Sequence, residues 1–379
     1  MLHMRYHRHI KNAFSKRLGI IVKEESLQCV YSQYKKKNRF YHDLEHIEDI
    51  CSLILERYVE DEWLKDILLL TALFHDVVYE PLEKDNERRS AEFFKEFVYN
   101  VNNHDTLEDF GVPTEIDRDM DEALLILTQK IYDIIVETEY KKPYSELSEL
   151  ASHFFEVVCW SLIDPNVSFS KVINNEKLLL KEFQKVPYGK YRDCKIKFLD
   201  EFSELYPVNK NTVKQLKEFV ISYKPKIGLF AGSFAPFHNG HLDILRSAEK
   251  IFDKVVIGVF SNKNAPLNNH SDGLEDLLRY HEVCRYHSLV WEAAMDYEAS
   301  NGVKIAIIEG FRNRGEHGEL KQSEWLSKQY SPDTDFVYFA SKPENNYISS
   351  GMIRTLIENG NSVGNFIPSQ EKIYGYEQG

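Results

Sequence analysis

Residues 227–245 read Ile-Gly-Leu-Phe-Ala-Gly-Ser-Phe-Ala-Pro-Phe-His-Asn-Gly-His-Leu-Asp-Ile-Leu. Ile227 to Ala231 is a short apolar run, as a parallel strand buried on both faces requires. Gly232 and Pro236 break regular structure. Beyond Gly240, residues Leu242, Leu245, Ala248, Ile251 and Phe252 recur at helical spacing. The stretch is therefore strand, glycine-containing loop and helix, with His238 and His241 at the helix start. That arrangement suits phosphate. The first N–H groups of a helix have no partner within it, and the helix dipole favours negative charge there. The two histidines add donors that can follow charge onto a phosphoryl oxygen.

Downstream of this stretch the pattern alternates. Strands are expected at Val255–Phe260, Lys304–Ile308 and Asp335–Phe339, with helices near Leu320–Tyr330 and Ser350–Glu358. Asn262–Asp272 reads as a polar loop followed by helical segments to about Ser300. Such a βα succession predicts a Rossmann-like parallel sheet with helices on both faces and its ligand at the carboxyl ends of the strands. Upstream, apolar residues recur at helical spacing over Ile47–Ile54, Leu64–Phe74, Ala91–Val98, Ala123–Ile135 and Val213–Val220, and strand-like alternation is scarce. Asn100–Thr114 reads as a loop. Lys224-Pro225-Lys226 looks like a linker, because proline follows a helix and precedes the first convincing strand. The expected architecture is an all-α domain over residues 1–223 and an α/β domain over 224–379.

A chain of 379 residues is too long for one ordinary domain, which fits two. The net charge of -13 argues against nucleic acid as a partner, because a phosphate backbone needs a basic surface. Nucleotides need only local positive groups and stay open. Cys29, Cys51, Cys159, Cys194 and Cys284 are scattered, without CxxC spacing, so neither a disulfide framework nor a cysteine zinc site is expected and a reducing cytoplasm fits. Met1 to Ile10 is basic and His-rich without an apolar core, unlike a signal peptide. No apolar run is long enough to span a membrane.

The block Gly232-Ser233-Phe234, Pro236 and His238-Asn239-Gly240-His241 resembles the HxGH nucleotidyltransferases, the superfamily of phosphopantetheine adenylyltransferase, NMN adenylyltransferase and the small cytidylyltransferases. The likeness continues through residues 252–259, Glu309-Gly310-Phe311-Arg312 and Ile348-Ser349-Ser350-Gly351-Met352-Ile353-Arg354, and favours the phosphopantetheine branch. It implies transfer of an adenylyl group from ATP, carried with Mg2+, to a small phosphorylated acceptor. Implied catalytic residues are His238, His241, Ser233, Lys263 and Arg312. Gly232, Phe234, Gly240, Gly310, Glu344, Ser349, Ser350 and Arg354 are implied at the nucleotide. Three positions depart from the family pattern: Ala235 stands for Asp, Glu309 for the first Arg of Arg-Gly-Leu-Arg, and Gly351 for the third Ser of the Ser-Ser-Ser turn. An NMN-type enzyme and a nucleotide-binding regulator with one degenerate domain are the alternatives.

In the first half, Tyr41-His42-Asp43-Leu44-Glu45-His46 precedes an apolar helix and Leu73-Phe74-His75-Asp76 closes another. Two polar groups at the end of an apolar helix need partners. A divalent cation with open water positions supplies them. These motifs, with Asp85-Asn86-Glu87 and Ser161-Leu162-Ile163-Asp164, are similar to the HD metal-dependent phosphohydrolases. The similarity implies His46, His75, Asp76 and Asp164 as ligands of a divalent metal (Mn2+, Mg2+, Fe2+ or Ni2+). It puts His42 and Glu87 at the substrate or around the ligands, and a nucleotide or phosphate ester as substrate. His42 is expected one turn before His46 on the same helix face. Thr128-Gln129-Lys130 stands where Thr-x-x-His is expected. The combined reading is a bifunctional enzyme, with a homo-oligomer left open.

Overall fold

The computed structural model describes residues 4–102, 122–139, 142–260 and 273–374. Compactness does not divide the chain into two continuous halves. The described residues of Met1–Asn175 and Phe198–Lys217 form one unit, and those of Glu176–Lys197 and Glu218–Gly375 form the other.

In chain order the first helices are α1 (His7–Ala13), α2 (Glu24–Gln33), α3 (Leu44–Arg57), α4 (Glu62–Phe74), α5 (Asn86–Asn102) and α6 (Glu122–Glu137). They are followed by α7 (Glu149–Val158), α8 (Trp160–Ile163), α9 (Phe169–Glu182), α10 (Tyr188–Leu205) and α11 (Lys210–Ser222). The expected helical patterns all fall within these spans. The first unit is organised on α4. Asp61 caps it by accepting the Leu64 N–H at 2.9 Å. From Ile67 to Phe74 every residue of α4 is buried, as befits a helix that is apolar all round. Phe74 ends it among the rings of Phe94 at 5.0 Å and Phe97 at 5.2 Å. The next two residues, His75 and Asp76, are thereby held against the interior.

The second unit contains β1 (Ile227–Gly232), α12 (Asn239–Glu249), β2 (Lys254–Phe260), α13 (Leu274–Leu277), β3 (Glu282–Tyr286) and α14 (Val290–Asn301). It continues with β4 (Ile305–Phe311), α15 (Arg314–Tyr330), β5 (Phe336–Ala340), α16 (Ser350–Glu358) and α17 (Gln370–Tyr374). The strands form one parallel sheet in the order β3-β2-β1-β4-β5. Alternate residues serve opposite faces. Phe230, Ile257 and Ile308 join one core with Leu245 of α12, while Leu229, Val256 and Ile307 join a second with Ala293 and Tyr297 of α14. Both faces are apolar, as a parallel sheet covered twice requires.

Residues 176–197 belong here for a specific reason. Lys254 begins β2 and is 0 % exposed. Its ammonium meets the carbonyls of Gln184 and Val186, the latter at 2.9 Å, and Glu282 of β3 at 3.0 Å. Gln184 in turn bridges Asp253 O and Val255 N–H. Tyr188 and Tyr191 complete the apolar face.

One expectation is corrected: the stretch before Ser300 is not wholly helical, since β3 interrupts it. Glu-Val-Cys-Arg-Tyr hides its strand pattern behind two charges: Glu282 is buried against Lys254, and Arg285, exposed on what is an edge strand among the described residues, pairs with Glu275. The loop expected at 262–272 lies outside the described residues, as does most of 100–114. The five cysteines are all free, and among the described residues no helix is long and apolar enough to cross a membrane.

Candidate functional site

Chain direction from β1 reverses across the sheet: β2 and β3 lie on one side, β4 and β5 on the other. At such a switch point the loops leaving β1 and β4 splay apart and leave a crevice at their carboxyl ends. A cavity of ≈ 330 Å³ lies there, lined by His238, Gly240 and His241 after β1, by Glu309, Gly310 and Arg312 at the end of β4, and by Ser349 and Ser350 at the start of α16.

The loop after β1 is built on Phe234. It holds φ at 46°, a left-handed conformation unusual for a side chain of this size, and is 1 % exposed. A Cβ on Gly232 would come within 2.9 Å of its ring, so only glycine fits there. The Phe234 ring meets His241 edge-on at 5.1 Å, supporting that histidine from the core side rather than lining the cavity.

His238 is the extended residue before α12, and its N–H donates to His241 Nδ1 at 3.3 Å. That bond leaves the proton of a neutral His241 on Nε2. The two rings stack with centroids 3.7 Å apart. Burial, followed by the positive charge of Arg312, pushes His238 down to about 4. Burial, His238 and Arg312 hold His241 well below the usual histidine range. Both are therefore neutral donors at pH 7.

Arg312 donates its backbone N–H to Glu316 Oε2 at 2.8 Å, its guanidinium pairs with the other Glu316 oxygen, and Nη1 reaches Ile348 O at 3.2 Å. Glu316 was not anticipated as a site residue, although its spacing four residues beyond Arg312 is the signal that could have found it. Ser349 caps α16 by accepting the Met352 N–H, and Ser350 donates to Pro236 O at 3.0 Å. Arg354 donates to Ala235 O at 2.5 Å, beneath the same loop, and does not line the cavity. Ser233 and Glu344 are exposed and stand outside the cavity wall. Lys263 lies outside the described residues. Glu309 lines the cavity, and burial pushes its carboxyl up to about 7.

The first unit holds a second constellation. Among the described residues, His46, His75 and Asp76 form a group whose candidate ligand atoms all lie within 4.8 Å of one another. Asp43 caps α3 by accepting the His46 N–H at 3.0 Å. His42 thus precedes the helix instead of lying on it, yet its ring is 5.8 Å from that of His46 and stacks on Tyr79 at 4.1 Å. His75 Nδ1 donates to Ala72 O at 2.9 Å. His75 Nε2 is buried without a hydrogen bond, and Asp76 Oδ2 stands 2.9 Å from it. Two imidazoles and a carboxylate that converge in this way are a donor set that fits a divalent metal. Burial acts to raise the Asp76 carboxyl, but His75, His42 and His46 outweigh it and hold it well below the usual carboxylate range. Glu87, at the start of α5, is half-buried and is raised by burial and by the charge of Asp76.

Asp164 is not brought into this group; its carboxylate pairs with Arg57 at 3.3 Å and accepts from Asn166. Arg39, which no motif flagged, is buried and clamps the ligand loop from beneath. It donates to Asp76 O at 2.6 Å, Val77 O at 2.8 Å and His42 O at 3.2 Å.

Residues 229–356 match the cytidylyltransferase-like family. The chain is 34% identical over 147 residues to a phosphopantetheine adenylyltransferase of Streptococcus pneumoniae (strain CGSP14), covering 38% of this chain and 90% of that protein. It is 35% identical over 151 residues to the protein of the same name from strain JJA, again covering 38% and 90%. The family match spans His238, His241, Glu309, Arg312, Ser349, Ser350 and Arg354.

Proposed function

Because the chain belongs, through its C-terminal part, to the phosphopantetheine adenylyltransferase family, we propose that this part moves an adenylyl group from ATP to a small phosphate monoester and releases pyrophosphate. The observation that carries the reading is the pair of neutral, stacked histidines at the start of α12, sharing one cavity with Arg312, Ser349 and Ser350. An oxygen of the acceptor phosphate forms the new bond to the α-phosphorus of ATP. The bond from that phosphorus to the bridging oxygen of the β-phosphate breaks, and the leaving pyrophosphate keeps the electron pair. No covalent enzyme intermediate is required, so the chain's task is to position the reactants and to stabilise spreading negative charge.

His241 would donate from Nε2 to the reacting phosphate, with His238 beside it. Arg312, held by Glu316, would offer its remaining guanidinium N–H groups to the triphosphate, and Ser349 and Ser350 would present hydroxyl and helix N–H groups. Arg354 would hold the loop at Ala235 and so fix the histidines. ATP would bring Mg2+ with it. The acceptor suggested by the family is 4′-phosphopantetheine. The test is a panel of phosphate monoesters incubated with labelled ATP, with mass spectrometry of the products. Dinucleotide-like products and equimolar pyrophosphate are expected. ATP consumed only to ADP and phosphate would exclude the reading.

For the first unit, within residues 1–223, we propose a metal-dependent phosphohydrolase of the HD type acting on a nucleotide or other phosphate ester. It is supported by the convergence of His46, His75 and Asp76 and by the buried, unbonded Nε2 of His75. A divalent metal there would polarise the phosphate and activate water. His75 is held to the right tautomer by Ala72 O, Arg39 fixes the backbone that carries Asp76, and His42 and Glu87 would face the substrate. Metal analysis of the purified protein, with hydrolysis of a nucleotide panel after metal reconstitution, tests it.

A further inference from the structure

We propose that Glu309 makes the transfer site selective for an acceptor whose non-phosphate part presents a hydrogen-bond donor, whether hydroxyl, amide N–H or ammonium, and hostile to one that presents a second anion. The proposal rests on the adenylyl-transfer reading.

The cavity is divided in its chemistry. His238, His241, Ser349, Ser350 and Arg312 offer donors and positive charge, whereas the wall formed by the end of β4 and by α15 carries Glu309, Glu316 and Glu319. Glu316 is committed to Arg312. Glu309 has no such commitment among the described residues: burial is what acts on its carboxyl, with no hydrogen bond or opposite charge beside that influence. Among the described residues, none of the groups around it donates to it. Tyr338, its register partner on β5, already donates its hydroxyl to Glu324 at 2.8 Å. Arg312 is taken by Glu316, Glu319 is another carboxylate, and the two histidines carry no charge and make no hydrogen bond to it.

A half-buried carboxylate without a donor is costly, and it is relieved by a ligand that supplies one. The triphosphate cannot, since at neutral pH it presents acceptors only. It belongs on the histidine, serine and arginine side. What reaches the ionised Glu309 must carry O–H or N–H. An acceptor with a carboxylate or second phosphate in that position would meet Glu309 and Glu319 together, which is repulsion in a site of reduced dielectric. Burial places the Glu309 carboxyl at about 7, so the selectivity sharpens between pH 6 and 8 as the group becomes an acceptor only.

The experiment compares wild type, Glu309→Gln and Glu309→Arg for kcat/KM with four probes: 4′-phosphopantetheine, ribose 5-phosphate, phosphoethanolamine and 3-phosphoglycerate. KM for ATP and for its 2′- and 3′-deoxy analogues is measured alongside. Wild type is expected to favour the best donor-bearing probe over 3-phosphoglycerate by at least about tenfold, the scale on which a polar pocket rejects a mismatched group. Glu309→Arg should shrink or invert that ratio by about tenfold, with KM for ATP within about twofold. Glu309→Gln keeps the shape and an accepting oxygen but loses the charge. It should lower the ratio of phosphoethanolamine to 3-phosphoglycerate at least about threefold, and it carries the test if the arginine variant does not fold. An unchanged acceptor ratio in the folded variants overturns the proposal. So does a loss that appears only with ATP and vanishes with its deoxy analogues, because Glu309 would then hold the nucleotide's sugar. Wild type that transfers to no acceptor defeats the adenylyl-transfer reading itself, and the proposal with it.

Discussion

His241 illustrates how one side chain is tuned by what surrounds it. Its Nδ1 accepts the His238 N–H, Phe234 backs its ring, and the desolvated pocket keeps it neutral. A neutral imidazole accepts at Nδ1 and donates from Nε2 at once, and its hydrogen bond strengthens as charge builds on the phosphate. His241→Ala should therefore lower kcat by about 10²–10³-fold while weakening ATP binding far less, a split read from steady-state kinetics and calorimetry. The same burial has a thermodynamic signature. Both histidines have folded-state values below their unfolded value, His238 at about 4, so the unfolded chain binds more protons on acidification. Their contribution to stability is complete above the unfolded histidine value of about 6.5 and is lost as pH falls below it. The drop in Tm of the transferase unit between pH 7.5 and 5 should be smaller in His238→Gln than in wild type. An equal drop would mean that His238 is not held neutral by the fold.

At the scale of elements, β2 depends on a stretch far from it in sequence. Lys254 is buried at the strand start, and its ammonium answers Glu282 of the edge strand β3 and two carbonyls of residues 184–186. Burial lowers its proton affinity, and Glu282 restores part of it. Glu282 also accepts from the Tyr297 hydroxyl at 3.2 Å, which links β3 to α14. Lys254→Met leaves Glu282 buried without its cation and should destabilise the unit by about 3–5 kcal/mol in urea unfolding. The double variant Lys254→Met with Glu282→Leu should recover much of that loss, since the unpaired charge is then gone. A single variant as stable as wild type would show that the cation is not what ties this segment to the sheet.

At the scale of the whole molecule, two compact units carry two separate constellations, one of imidazoles and a carboxylate, the other of imidazoles, an arginine and serines. Each has its own apolar core. Asp76→Ala should therefore abolish bound divalent metal, read by elemental analysis, and phosphohydrolase activity, while leaving adenylyl transfer within about twofold of wild type. Full metal occupancy in this variant would place the ion elsewhere. Asp164→Ala gives a sharper result. Its carboxylate is paired with Arg57, so this variant should retain metal, whereas a fourth ligand would lose it.

The readable part of this protein is local. An apolar pentapeptide, a glycine loop and helical spacing after it define β1 and α12 and put two histidines at a helix start, because strand, turn and helix patterns act over a few residues. The apolar run from Ile67 to Phe74 likewise announces a buried helix with His75 and Asp76 at its end. What spacing along the chain could not convey is contact between distant residues. Residues 176–197 look like one more amphipathic helical stretch, and only the buried ammonium of Lys254 shows why they join the sheet. The edge strand β3 hides behind its charges, one of which, Glu282, is answered only in the fold by the buried Lys254. Asp164 sits in the expected motif yet meets Arg57, and Arg39, in no motif, supports Asp76 from below. Glu309 can be read from sequence as a departure from the family pattern; its isolation among other carboxylates in a cavity is a product of tertiary packing, which sets the desolvation and the partners that give a side chain its chemistry.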